Sequence, residues 1–425
     1  MKIADINPWW KTPRIEEDLE ALPRRDLFEE IVPFINERQV VAINGLRRTG
    51  KTVLMHHLIS FLLKEHPAKN ILYFNFDLFD DKIENILASY KELLAVNTKK
   101  EKIFVFLDEI QKHENWENEV KVLYDNCQSI KFFISGSSSL FIEKKTRESL
   151  AGRVFSFTLK PLTFKEYIKL KKLKIGKKIF LFEEELKGAL QHYLRTGGFP
   201  ELLSFKEEAK IDRYIKELVI DRVVYIDTPQ VFEIEEPELL TRILSIVSAS
   251  PGLIVDYENL ADDLGRNRKT ISSYLFYLEK AFLVKKLYNY SKNLLTSEKK
   301  MKKVYPASTA FASLFNAPKG KIVETAVSMN HAFKFFSRSG EKEVDFIGVN
   351  NEIQPVEVKY AGKVREREIR GLIKFMEKQN LKKGTVITKN FEAKKEIKKK
   401  NVLFIPLWKW LLEENSKKSS PKPVA

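Results

Sequence analysis

The sequence predicts an α/β protein of several domains, and three observations carry that prediction. Short apolar strands alternate with helices from residue 40 to about 160; a glycine- and lysine-bearing loop interrupts the first strand-to-helix passage; and a second strand-rich pattern returns from about 303 to 412. Alternation of this kind reads as a parallel sheet covered by helices on both faces. At 425 residues the chain exceeds one core, and about 100–200 residues per domain suggests two to four domains.

The strands of the first domain, residues 1–160, are RQVVAIN, NILYFNFD, KIFVFLDE and KFFISGS. After the first comes INGLRRTGKTVLMHHLI, in which Gly45, Gly50, Lys51 and Thr52 satisfy the G-x-x-x-x-G-K-[ST] spacing. Backbone N–H groups in such a loop wrap a phosphate at a helix N-terminus. Gly45, Arg47, Arg48, Thr49, Gly50, Lys51, Thr52 and Val53 are therefore the expected ATP-binding set. Lys51 reaches the β- and γ-phosphates and Thr52 ligates Mg²⁺. The strand KIFVFLDE ends in two carboxylates: Asp108 to hold Mg²⁺ through water, Glu109 to orient and deprotonate the attacking water. Ser135 or Ser137, in ISGSSSL, either senses the γ-phosphate or forms a serine-rich turn. Arg153, in LAGRVFSF, is either an arginine finger for its own or a neighbouring subunit, which would imply a homo-oligomer, or plain surface charge. Two arginines inside the loop raise their own question. One is expected on the triphosphate and the other on an adjoining domain, and the sequence does not assign which.

Beyond residue 160 the pattern becomes helical, with KPLTFKEYIKLKKL, FEEELKGALQHYLRTGG and AKIDRYIKELVIDRVVY spaced at three and four residues, which suggests a lid over 161–245. Pro251-Gly252 punctuates the next unit, 246–300. In LIVDYENLADDLGRNRKTISSYLFYLEKAFLVKKL a helix led by Asp256 ends at Gly265, and a second helix presents Ile271, Leu275, Leu278 and Phe282 on one face. Arg266, Arg268 and Lys269 stand at its start, and FLVKKLYNY follows as a wing; the unit resembles a winged helix-turn-helix that offers its basic turn to DNA, or else packs as a connector. The formal net charge of +16 points the same way, toward nucleic acid or another polyanion. Its excess lies in 285–303, with seven lysines against Glu298, and in 381–400, with eight against two glutamates. A lysine-rich surface of thermophile type is the competing explanation, but it predicts balancing glutamate.

In the domain 301–412, the segments EVDFIGV and EIQPVEVKY flank Asn350 and Asn351. A turn centred on Asn351 sets Asp345 opposite Glu357, with Lys359 on the same face as Glu357 and Val344, Phe346, Val356 and Val358 turned into the core. Two carboxylates and a lysine so placed suit a divalent metal and phosphodiester cleavage. Residues 413–425 are polar and proline-bearing, a disordered tail. Cys127 is the single cysteine, which excludes an internal disulfide and a multi-thiolate metal site. No apolar run approaches the roughly 20 residues of a membrane span, and no signal peptide is evident, so a cytoplasmic location with no membrane partner is expected.

The stretches NPWW, GLRRTGKT, YFNFD, FLDEIQ, SGSSS, LAGR, PLTFKEY and GGFPE together resemble the AAA-type P-loop ATPases of archaea and bacteria that carry a C-terminal restriction-endonuclease-like domain. The resemblance covers nearly the whole chain. It implies a P-loop NTPase (AAA-type) domain with a helical lid, a winged helix-turn-helix and a C-terminal restriction-endonuclease-like α/β domain with a D…ExK motif. That motif is Asp345, Glu357 and Lys359, with Glu324 as the helix acid. Two departures bear on nuclease activity: no proline precedes Asp345, and Pro355 interrupts the strand before Glu357. The expected function is a Mg²⁺-dependent ATPase acting with DNA; a nucleotide-switched scaffold with an inactive nuclease-like domain is the alternative.

Overall fold

The computed structural model describes residues 3–97, 101–136, 150–176, 178–349 and 352–413. The chain forms two compact units. The first is Met1–Lys160 with Asp221–Ile234 and Lys280–Phe282; the second is Pro161–Ile220, Glu235–Glu279 and Leu283–Ala425. The expected lid, helix-turn-helix and C-terminal segments thus lie mainly in one unit rather than three.

In the first unit β1 (Val40–Asn44), β2 (Ile71–Asn75), β3 (Ile103–Asp108), β4 (Ile130–Gly136) and β5 (Val154–Thr158) form a parallel sheet in the order β2-β3-β4-β1-β5. β1, β3 and β4 are buried at every position, which explains their largely apolar sequences. Alternate residues serve two cores. Val105, Leu107 and Phe132 pack with Trp116 and Val120 on one face, while Phe104, Phe106 and Phe133 pack with Leu54, Leu58 and Leu62 of the helix Lys51–Leu62 on the other. Because the strands are parallel, Asn44, Asp108 and Gly136 all end on one edge, where open α/β sheets bind ligands.

The edge strand β2 is covered by the N-terminal segment. Asn7 donates its side-chain amide to the Tyr73 carbonyl (2.9 Å) and accepts from the Tyr73 N–H (2.7 Å), so one side chain replaces a strand neighbour. The indoles of Trp9 and Trp10 both donate to the Ile71 carbonyl, at 3.0 and 2.8 Å.

The second unit holds β6 (Leu253–Val255), β7 (Val284–Asn289), β8 (Lys302–Pro306), β9 (Phe335–Ser339), β10 (Lys342–Val349), β11 (Ile353–Val358), β12 (Lys383–Thr388), β13 (Ala393–Ile397) and β14 (Lys400–Pro406). They make one nine-stranded sheet, β13-β14-β12-β11-β10-β9-β7-β8-β6. It runs without a break across residue 300, where a domain boundary was expected. The helix Tyr257–Leu264 is capped by Asp256, which accepts from the Glu258 and Asn259 N–H groups, and stops at Gly265 with φ 64°. The helix Arg268–Lys280 follows, burying Ile271, Leu275 and Leu278. Phe282 lies past its end, at φ 61°, and is not part of that helical face. Nor is the expected wing free: β7 pairs antiparallel with β8 and parallel with β9.

β10 and β11 pair antiparallel with Phe346 opposite Val356, the register counted from Asn351. Against β9, however, β10 carries a bulge between Val344 and Ile347. One extra residue flips the side-chain alternation, so Val344 packs with Ile347 and the helix Arg370–Lys378, whereas Phe346 joins Val356 and Val358 on the other face. Val344 and Phe346 therefore do not share a core face, contrary to expectation. Pro355 sits in the β10 ladder opposite Ile347, and pairing of β11 with β12 begins only at Val356, so its missing N–H interrupts no ladder bond to β12.

Candidate functional site

The loop after β1 turns at Gly45, whose φ of 148° brings its backbone so close to residue 159 that a Cβ would meet the Leu159 carbonyl oxygen at 2.2 Å. No other residue fits there without moving the chain. Arg48 adopts φ 64°, and Gly50, at φ 94°, starts the helix Lys51–Leu62. Thr49 is buried and donates its hydroxyl to the Leu46 carbonyl (2.8 Å), while Arg25 clamps the loop by donating to the carbonyls of Thr49 and Lys160, both at 2.8 Å. Lys51 folds back into the loop, its ammonium 3.4 Å from the Gly45 carbonyl and 3.7 Å from Glu109 Oε1. Val53 is half-buried on the same helix.

Asp108, fully buried at the end of β3, is the hub. Its Oδ2 accepts from the Thr52 hydroxyl (2.7 Å) and the Tyr73 hydroxyl (2.8 Å), and its Oδ1 accepts from the Ser135 hydroxyl and the Glu109 N–H. Burial, followed by the Asp108 charge, pushes the Tyr73 phenol well above its ordinary pKa, so it remains a donor. Tyr73 was not foreseen. Its signal, a tyrosine in the strand before KIFVFLDE, is indistinguishable in sequence from any other core aromatic. Glu109 leaves the strand with φ 52°, a sparsely populated conformation for a non-glycine residue, and its Oε2 accepts from the Gln111 amide at 2.5 Å. Ser137 lies outside the described residues.

The arginines part company. Arg47 makes a two-pronged ion pair with Asp227, Nε to Oδ2 and Nη2 to Oδ1 both at 2.6 Å, and that hydrogen bonding, set against burial, raises its pKa. Asp227 belongs to Asp221–Ile234, the segment that returns to the first unit. Arg47 is therefore committed within this unit, and Arg48, next to it, is exposed. Arg153 is at the wrong end of the sheet. It precedes β5, its carbonyl accepts from the Val40 N–H at the start of β1 (2.8 Å), and its side chain pairs with Asp125 at 3.0 Å. A five-residue strand at ~3.3 Å per residue separates that edge from the phosphate loop, so Arg153 is not an arginine finger for its own subunit.

In the second unit the hairpin brings Asp345, Glu357 and Lys359 together with Glu324 of the helix Lys319–Asn330, but also with a residue the sequence did not single out. Lys303 of β8, fully buried, places its ammonium 2.9 Å from Asp345 Oδ1, 2.6 Å from Glu343 Oε1 and 3.9 Å from Glu324 Oε2. Asp345 Oδ2 accepts from the Val358 N–H at 3.0 Å, so both its oxygens are engaged. Burial alone would raise the Asp345 pKa; Lys303 and Lys359 hold it below the ordinary range. Burial and the Asp345 charge push Glu357 up to about 8 although Lys359 lies 2.6 Å away, and Glu324 up to about 7. Among the described residues no group of three or more His, Cys, Asp or Glu side chains is arranged to hold a metal. Of the two carboxylates expected to share a metal, Asp345 therefore lies against the Lys303 ammonium and Glu357 against that of Lys359.

The expected DNA-contacting residues are exposed but partly neutralised. Arg266 pairs with Glu236 at 2.7 Å and Arg268 with Glu258 at 3.3 Å, while Lys269 is exposed. The wing lysines are used internally, Lys285 donating to the carbonyls of Ser328 and His331 and Lys286 pairing with Glu279. They do not form a free basic wing.

No helix among the described residues is long and apolar enough to cross a membrane. Residues 37–168 match the family described as AAA domain, and residues 187–317 and 319–410 match two domains of unknown function. An uncharacterized protein of Methanocaldococcus jannaschii, MJ1544, is 30% identical over 419 residues, covering 91% of this chain and 90% of its own length. A second from that organism, MJ1637, is 27% identical over 456 residues, covering 96% and 93%. Among solved structures, a Walker-type ATPase of Pyrococcus abyssi is similar at 14% identity and a TM-score of 0.43, over 72% of this chain and 98% of that one, too weak a likeness to carry argument. With its phosphate loop, its parallel sheet and its match to the AAA domain, the chain carries an AAA-type P-loop ATPase domain and belongs to the family of the Methanocaldococcus protein MJ1544.

Proposed function

We propose that the first unit binds ATP with Mg²⁺ and hydrolyses it, and that the chain acts with DNA. The observation that carries the first part is the convergence of the Thr52, Tyr73 and Ser135 hydroxyls on the buried Asp108 carboxylate, at the sheet edge where the phosphate loop opens. This is a hard-oxygen set, and it fits Mg²⁺, which Thr52 and Asp108 would hold. Bound there with ATP, Mg²⁺ would neutralise phosphate charge. Lys51, held at the mouth of the loop by the Gly45 carbonyl, binds the terminal phosphates. Glu109, with Oε2 fixed by Gln111 and Oε1 toward Lys51, orients the attacking water and takes its proton. The loop N–H groups hold the phosphates in place.

Action with DNA is supported by the net charge of +16 and by the exposed Arg266, Arg268 and Lys269. A second reading, a nucleotide-switched scaffold, is favoured by the internal use of Lys285 and Lys286 and by the ammonium among the D…ExK carboxylates. ATP turnover by the purified protein, measured alone and with single-stranded, duplex and branched DNA, separates them. Stimulation by any DNA supports the first. Binding of ATP with turnover indifferent to DNA, and no DNA binding at low salt, gives the scaffold.

A further inference from the structure

We infer that Lys303 is a resident cation standing where a nuclease metal would, so that Asp345, Glu357 and Lys359 belong to a closed ion cluster that does not take up a divalent metal.

Strand order alone makes the contact surprising. β8 and β10 are separated in the sheet by β7 and β9, which in a flat sheet would set them roughly 14 Å apart at about 4.8 Å per strand. That exceeds the reach of a lysine and an aspartate together, so the sheet must curl to bring Lys303 onto Asp345. The tip of the side chain then does what a metal would do. It touches Asp345 at 2.9 Å and Glu343 at 2.6 Å, with Glu324 at 3.9 Å, and the Val358 N–H occupies the other Asp345 oxygen.

Lys303 has nowhere to withdraw. Its ammonium lies 5.4 Å from the centre of the Tyr305 ring and 6.0 Å from those of Phe336 and Phe346. On another side, a Cβ at Gly252, whose φ is 80°, would come within 2.9 Å of Lys303 Cε, so that wall lies close against the lysine stem. A metal entering the cluster would drive an ammonium into aromatic rings without a counter-ion, and an unpaired buried charge is strongly unfavourable. The carboxylates nevertheless retain the disposition of a cation site. Glu357 Oε2 is buried without a hydrogen-bond partner, and removal of the ammonium would leave Asp345, Glu343 and Glu324 without their shared cation.

The test uses the full chain without nucleotide, in an Asp108→Asn background that silences the phosphate-loop site, and titrates Mn²⁺ by calorimetry and thermal unfolding. The parent and Lys303→Arg should show no saturable uptake attributable to Asp345 and no rise in unfolding midpoint. Lys303→Met, which keeps the stem and removes the charge, should gain a Mn²⁺ site and a rise of several degrees, both lost on adding Asp345→Asn. Mn²⁺ uptake by the parent that disappears with Asp345→Asn overturns the inference, as does a folded Lys303→Met that ignores Mn²⁺. If Lys303→Met does not fold, the titrations of the parent, with and without Asp345→Asn, decide alone.

Discussion

Glu109 and Lys51 occupy one pocket yet answer for different steps. Lys51→Ala removes the charge facing the phosphates and should weaken ATP binding at least tenfold; Glu109→Gln keeps the pocket and should retain binding while lowering turnover by about 10²–10⁴-fold, the usual worth of a positioned base. Equilibrium nucleotide binding and single-turnover hydrolysis check the two, and undiminished turnover in Glu109→Gln would remove the base assignment. The two-pronged pair of Arg47 with Asp227 is nearly closed to solvent on the carboxylate side. Asp227→Asn and Arg47→Ala should each destabilise the protein by about 1–3 kcal/mol. Their double variant should cost less than the sum, because each single change strands the other partner. Additive denaturation midpoints would mean that the pair contributes nothing of its own.

At the scale of elements, the N-terminal segment serves the nucleotide site through β2. Asn7 fixes the backbone of Tyr73 from both sides, and the Tyr73 hydroxyl holds Asp108. Asn7→Ala should therefore lower stability by about 1–3 kcal/mol, the cost of leaving buried backbone groups unpaired. It should also reduce turnover, although the Asn7 side chain bonds to Ile3 and Tyr73 and not to the phosphate loop. A variant that loses stability but keeps wild-type turnover would limit the segment to edge protection. The lysines of β13 need a similar distinction. Lys394 and Lys395 are exposed on an edge strand, where positive charge discourages edge-to-edge pairing regardless of any nucleic acid.

For the whole molecule, two dependences should be measurable. If DNA binds, log affinity should fall roughly linearly with log salt, with a slope of about −0.9 per duplex phosphate contact. Alanine at Arg266, Arg268 and Lys269 should make that slope shallower; an unchanged slope would move the contact elsewhere. Stability should also depend on pH through the carboxyl cluster. Glu357 and Glu324, raised to about 8 and about 7 in the fold, hold protons that the unfolded chain releases near its ordinary carboxylate pKa. Their contribution is complete at acid pH below the unfolded values and is lost as pH rises through 7 and 8, by on the order of 1 kcal/mol per pH unit for each proton held. Glu357→Gln should flatten the fall between pH 6 and 8.5 in calorimetric unfolding, and a slope identical to wild type would show that Glu357 does not titrate there.

The phosphate loop, the Asp108-Glu109 strand end, the capped helix from Asp256 to Gly265 and the register of the β10–β11 hairpin were all legible in the sequence, because each is set by neighbours close along the chain. A loop spacing, a capping side chain and a turn centre are local facts, and local backbone chemistry enforces them. The sequence could not show that Tyr73 holds Asp108, that Arg47 spends its charge on Asp227 across 180 residues, or that Arg153 stands at the opposite end of the strands from the phosphate loop. Nor could it show that a one-residue bulge parts Val344 from Phe346, or that a lysine 42 residues before Asp345 fills its carboxylate cluster. These depend on strand order, sheet curl and which charges burial forces together. Only the folded chain decides them, since a buried charge must find its partner wherever the topology brings one within reach.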